Sequence, residues 1–187
     1  MNKIQTKLHN ILKKGLDDKE AHNAANNPNC HPNTLHMVLK RNDNNFVSQL
    51  AAQNKGCHTN TLKMVLKRND LNAISTQAVQ NPNCSKEIIH MILKRTQNDP
   101  ISAHAVAHNN CSAETLEMVL KQKQNNRISK YAVEHPNCPP KAKIQWMINT
   151  GKIIQEDPSK HVIDYTDKPT DKPTEDQELQ QLKNLIK

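Results

Sequence analysis

The sequence predicts an all-α protein: a right-handed solenoid of α- and 3₁₀-helical segments, made of five 27-residue two-helix repeats with capping segments. Three observations predict it. Cys30, Cys57, Cys84, Cys111 and Cys138 recur every 27 residues, and self-similarity at such a period is the signature of stacked units. An alanine stands six residues before each cysteine, at Ala24, Ala51, Ala78, Ala105 and Ala132, and a column of small side chains lets neighbouring helices approach closely. Each unit also carries an apolar i, i+3, i+4 pattern, Leu35, Val38 and Leu39 in the first, which marks one helical face and is not the alternation of a strand.

The elements of a unit follow in order. The shorter helix starts after Asn45, Asn72, Asp99 or Asn126, side chains suited to an N-cap. It runs through Val47-Ser48, Ile74-Ser75, Ile101-Ser102 or Ile128-Ser129 to the alanine column. Asn81-Pro82-Asn83 and its variants end it, because proline cannot continue a helix. At barely two turns it is expected to be partly 3₁₀. The longer helix starts at Ser85, Ser112 or Pro139-Pro140 and carries the column Leu35, Leu62, Ile89, Leu116 and Ile144. A Met-Val-Leu triplet follows, from Met37-Val38-Leu39 to its counterpart Trp146-Met147-Ile148. In this alignment the fifth unit holds one extra residue at Pro139-Pro140, just after its cysteine.

The ends read as caps. Leu8, Ile11 and Leu12 match Leu35, Val38 and Leu39 at the same offset, so residues 1–23 are an N-terminal half-repeat and 24–150 the five tandem units. Gly151 suits the position just past a helix end. Residues 151–165 form a degenerate C-terminal cap, Asp157-Pro158-Ser159 echoing Asp99-Pro100-Ile101. Residues 166–187 form a linker, with Asp-Lys-Pro-Thr twice over, and a short amphipathic helix bearing Leu179, Leu182, Leu185 and Ile186.

Composition narrows the function. Only 35% of residues are apolar and only four are aromatic, which suits an array one unit thick. Three glycines exclude Gly-rich phosphate loops, and no apolar run is long enough to span a membrane. The basic N-terminus has no apolar core and is not expected to be a secretory signal. The charge of +8 is uneven: residues 1–155 carry +11, and the remainder is mildly acidic. A basic body attracts acidic proteins, nucleic acid or anionic surfaces.

Ala78-Val79-Gln80-Asn81-Pro82-Asn83-Cys84 and its four relatives, each followed by a leucine-bearing helix, resemble the leucine-rich repeat variant family. The resemblance covers residues 20–163 and implies a strand-free solenoid of alternating α- and 3₁₀-helices. The unit here is longer than that family's by about one helical turn, near Lys40–Asn45 and its counterparts. No separate cysteine cluster of the kind that binds iron–sulfur in that family is present, so no cofactor is implied. The tail, with Glu175-Asp176-Gln177-Glu178 before Leu179 and Leu182, is similar to C-terminal export signals of bacterial type IV effectors.

No catalytic constellation is legible: there is no nucleophile elbow, no HExxH and no Walker loop. One cysteine per unit, with no C-x-x-C, reads as buried filler in a reducing compartment. Asn27, Asn54, Asn81, His108 and His135 share a column and are expected to hydrogen-bond loop backbone between units. The one surface feature is a basic stripe of Lys40, Arg41, Lys67, Arg68, Lys94, Arg95, Lys121 and Lys123. Bases at helix C-termini complement the helix dipole, and the same stripe is the candidate partner-binding surface. The expectation is a monomeric, non-catalytic protein-binding scaffold with no metal. It would be cytoplasmic, or translocated into a host cell, with an acidic protein as partner and a nucleic-acid backbone as the alternative.

Overall fold

Asn45, Asn72, Asp99 and Asn126 each accept a hydrogen bond from the backbone N–H three residues on, at Ser48, Ser75, Ser102 and Ser129, at 2.7–3.0 Å. These N-caps start the helices that carry the alanine column. In the computed structural model, which describes residues 1–153, the chain is all-helical, with eleven helices and no strand among the described residues. The alanine helices are α2 (Lys19–Asn26), α4 (Phe46–Gln53), α6 (Ala73–Gln80), α8 (Pro100–Val106) and α10 (Arg127–Glu134). The leucine helices are α1 (Lys3–Lys13), α3 (Pro32–Lys40), α5 (Thr59–Lys67), α7 (Lys86–Leu93), α9 (Ala113–Lys121) and α11 (Pro140–Asn149).

Two expectations about these elements are corrected. The alanine helices are α-helical, not 3₁₀. A capped N-terminus supplies the partner that the first turn lacks, so two turns suffice for the α form once packing holds them. The boundary at residue 23/24 falls inside α2, a single helix begun by Asp18, whose side chain accepts from Ala21 N–H at 2.8 Å.

Helices of one kind pack on their own kind. The alanine helices contact one another in the order α2, α4, α6, α8, α10, and the leucine helices in the order α1, α3, α5, α7, α9, α11. Each leucine helix from α1 to α9 also packs on the alanine helix that follows it. The core runs between the two rows. Ala51, Ala78, Ala105 and Ala132 are fully buried, as are Leu35, Leu62, Ile89 and Leu116. A larger side chain in the alanine column would push α-helices apart or off-rotamer, which is destabilising in a close-packed interior.

The leucine helices end alike. A residue of positive φ stands shortly past each end, after the cap: Gly15, Asn42, Asn69, Thr96, Lys123 and Gly151. Glycine, and to a lesser degree asparagine, adopts this left-handed conformation cheaply. Gly151 thus takes the place expected for it.

The last unit departs from the expected alignment. α11 has its N-cap at Pro139, 27 residues after Ser112, the N-cap of α9. The extra residue therefore lies in α11, ten residues long against nine, and not beside the cysteine. In that register Trp146 takes the column of Val119 and is buried, while Ala142 and Met147 pack against the core. Ile144 and Ile148, expected in the leucine columns, are only half-buried. Most of the expected C-terminal cap (151–165), and the whole of 166–187, lie outside the described residues.

Candidate partner-binding surface

The turns after the alanine helices carry one asparagine or histidine per unit, and these side chains stitch neighbouring units. Asn54 Nδ2 donates to Ala25 O at 2.7 Å and Asn27 O at 3.0 Å, while its Oδ1 accepts from Gly56 N–H at 2.8 Å. Asn81 repeats this, donating to Ala52 O at 2.7 Å and Asn54 O at 3.0 Å and accepting from Asn83 N–H at 2.9 Å. His108 and His135 do it with a ring: Nε2 donates to Asn81 O and His108 O at 3.2 Å, and Nδ1 accepts from Asn110 and Asn137 N–H at 3.0 Å. Those partners define the neutral Nε2–H tautomer. The expected between-unit role of this column is met at Asn54, Asn81, His108 and His135, whereas the Asn27 side chain only accepts from Asn29 N–H in its own turn, at 2.9 Å.

A second rung lies two residues on. Asn83 Nδ2 donates to Lys55 O and Cys57 O, Asn110 to Pro82 O and Cys84 O, and Asn137 to Asn109 O and Cys111 O. Gly56 occupies this column one seam earlier and has no side chain to offer.

The basic stripe divides into two populations. The arginines are spent on the fold. Arg41 donates to Leu12 O and Lys13 O, each at 2.9 Å. Arg68 donates to Leu39 O at 2.9 Å and to the Asn42 side chain, and Arg95 to Leu66 O at 2.9 Å and the Asn69 side chain. Each guanidinium closes the leucine helix of the preceding unit, where the last-turn carbonyls accept only the N–H groups of the closing turn and the dipole is negative. A rigid fork with five donors can serve two acceptors at once; a lysine cannot hold that geometry. The signal was present in the composition: the chain has only four arginines, and three stand in this one column.

The lysines remain outside. Lys40, Lys67, Lys94, Lys121 and Lys123 are exposed. Lys121 pairs with Glu117 at 2.9 Å on the same helix. Lys123 takes the left-handed position, φ 55°, past the end of α9. The candidate surface is thus a row of lysines, one in each of the first four units, with a fold-bound arginine next to the first three.

Other chemistry-bearing side chains are dispersed. Cys30, Cys57, Cys84 and Cys111 are buried free thiols and Cys138 is half-buried. Burial pushes the first up to about 11 and the next three up to about 12. They fill the core as small apolar groups. No group of three or more His, Cys, Asp or Glu side chains able to hold a metal forms among the described residues. At the N-terminal end a hydrogen bond from His22, 2.7 Å away, holds the Asp17 carboxyl below its usual range. That carboxylate also accepts from Phe46 and Val47 N–H at the start of α4.

Two of the clefts in the surface among the described residues lie beside these features. One, about 450 Å³, lies over the ends of the alanine helices and is lined by Gln53, Gln77, Gln80 and the stitching asparagines. The other, about 550 Å³, lies between α9 and α11 and is lined by Leu120, Ala142, Trp146 and several lysines. No helix among the described residues is long and apolar enough to cross a membrane. Comparison with protein-family models, curated proteins and solved structures found no match to this chain.

Proposed function

We propose that the chain is a non-catalytic protein-binding scaffold, a right-handed α-solenoid of five repeats whose lysine row meets an acidic protein. The observation that carries this reading is the row itself. Lys40, Lys67, Lys94 and Lys121 recur once in each of the first four units and stay exposed, although the arginines next to the first three are engaged in the fold. Equal positions of a stacked array form a line, and a line of like charge favours an extended partner of opposite charge. Kinship with leucine-rich repeat variant solenoids belongs to this reading, supported by the Ala-Val-x-Asn-Pro-Asn-Cys segments. The α-helical alanine helices depart from that family's 3₁₀ segments. A monomeric state, a cytoplasmic location or translocation into a host cell, and an export role for 166–187, a segment outside the described residues, also belong to this reading.

Affinity capture from lysate tests the scaffold, with Lys40, Lys67 and Lys94 reversed to Glu as the control. The arginines must be left in place, because reversing them would break the seams and confuse lost binding with lost fold. Partners that survive the triple reversal refute the lysine row as the binding surface. The second reading, a nucleic-acid backbone binder, rests on the same lysines. It predicts gel shifts of duplex DNA or RNA that weaken steeply with salt, since phosphate contacts release counterions.

A further inference from the structure

We propose that the cleft between α9 and α11 is a docking site for an acidic amphipathic helix of a partner protein, its apolar face on the cleft and its carboxylates on the lysine rim. The proposal rests on the scaffold reading and names where on the array the partner gains an apolar foothold.

The cleft follows from the break in the repeat. Along the leucine row, each helix presents the same buried columns to the next, as Leu35, Leu62, Ile89 and Leu116 do. α11 does not continue them. In its register the Leu116 column falls on Lys143, and Trp146 replaces a valine. α11 therefore meets α9 over a shape the other seams do not share, and leaves about 550 Å³ between them. That volume lies in the range of about 300–1,000 Å³ typical of binding clefts.

The lining specifies the occupant. Pro139 and Ala142, both half-buried, supply the accessible apolar wall over a nearly buried floor of Leu120 and Trp146, and Lys121, Lys123 and Lys141 supply charge. Lys121 is balanced by Glu117, whereas Lys123 and Lys141 are in no ion pair among the described residues. A purely apolar ligand would leave that charge unmatched, and a polyanion would leave the wall unused. A helix with leucines on one face and carboxylates along its flanks uses both. The groove between two packed helices is also the usual seat of such a helix. Lys121 and Lys123 are the last members of the lysine row, so an acidic partner laid along the row would reach this cleft.

The chain carries its own reporter. Trp146 is its only tryptophan, is 1% exposed, and is held by its Nε1–H donating to Gln124 O at 2.8 Å and by Lys152 over its ring at 4.5 Å. The experiment titrates the full chain with a fluorescein-labelled synthetic helix bearing leucines at i, i+3, i+4 and i+7 and glutamates beside them. Anisotropy reports affinity, and Trp146 emission in a matched titration with unlabelled peptide reports location. Saturable binding that shifts Trp146 emission is expected. It should weaken about tenfold, equivalent to roughly 1.4 kcal/mol, in the Lys123→Glu/Lys141→Glu variant. Peptides with Leu→Ser or Glu→Gln changes should each lose most of the affinity. An unchanged urea midpoint for the variant excludes misfolding as the cause.

No saturable binding at millimolar peptide overturns the proposal. If lysate capture still depends on Lys40, Lys67 and Lys94 in that event, the scaffold reading survives alone. Equal affinity for the Glu→Gln peptide, self-association lost in the variant, or duplex RNA shifting Trp146 in place of the peptide each overturns it too, by assigning the cleft another occupant.

Discussion

Replacing Asn81 by leucine should remove two of the side-chain hydrogen bonds that join α6 to the end of α4. Asn81 is 2% exposed and makes three hydrogen bonds, donating to Ala52 O and Asn54 O and accepting from Asn83 N–H. Leucine fits the space and makes none of them. Each bond contributes about 1 kcal/mol net, and a stranded buried group costs about 1–3 kcal/mol, so the loss should be about 3 kcal/mol or somewhat more. Against a total of about 5–15 kcal/mol this is a large fraction. The midpoint temperature should fall by about 6–12 °C, at about 2–4 °C per kcal/mol for a chain of this size. Histidine is the internal control, because His108 and His135 already do this work with one donor and one acceptor. Asn81→His keeps two of three bonds and should lose only about 1 kcal/mol. Urea denaturation followed by circular dichroism measures both. Hydrogen exchange at Asn83 N–H shows whether the loss is local to the seam. If Asn81→Leu melts within about 0.5 kcal/mol of wild type, as inert surface changes do, the stitching argument fails. It fails equally if the histidine variant is as unstable as the leucine one.

Gly56→Asn should stabilise by about 1 kcal/mol, because it restores the second rung toward Pro28 O and Cys30 O that Asn83, Asn110 and Asn137 make at later seams. Its Cβ would lie 3.2 Å from Asn54 Oδ1 and 3.4 Å from Cys30 O, so the turn must give slightly; a lower denaturation midpoint would show that it cannot. Thr96→Gly should also stabilise by about 1 kcal/mol, since a β-branched residue at φ 60° is strained and glycine is not. Asn69→Gly, at φ 61°, is the control and should change little, and equal gains at both sites would refute the strain account. The buried thiols stand well above the ordinary value of 9.0, so the folded state holds its protons where the unfolded state has lost them. Their contribution is complete below about pH 9 and should be lost as pH rises toward 12. Cysteine-to-alanine variants should flatten that alkaline decline in a pH series of urea midpoints. In native protein at neutral pH Cys138 should alkylate before the other four, and early labelling of Cys57 or Cys84 would contradict their burial.

Much of the fold was legible because its causes are local and recur. A side chain that caps a helix acts within three residues, so Asn45, Asn72, Asp99 and Asn126 announce their helices in any context. The asparagine and histidine column was legible for a related reason: one acceptor and one donor in a turn have few uses other than backbone. Less local features were misread. The alanine helices were expected to be partly 3₁₀ from their length, yet packing on both neighbours holds them α-helical. The apolar letters of the fifth unit predict Ile144 and Ile148 in the core. The structure aligns it by its N-cap at Pro139, and Trp146 fills the space.

The candidate surface shows the same limit. Lys40 and Arg41 are adjacent letters of like charge, and so are Lys67 and Arg68. Nothing in their spacing says that the second of each pair reaches back to Leu12 or Leu39 while the first faces water. The sequence by itself determined the period, the helices, their caps and the residues that meet between units, since these depend on contacts within a few residues or repeated at one fixed offset. The tertiary structure alone decided which bases are spent on the fold, which remain for a partner, and where the last helix leaves a cleft. Those outcomes depend on the direction and reach of side chains between units, and on a break in register that occurs once and so leaves no periodic trace.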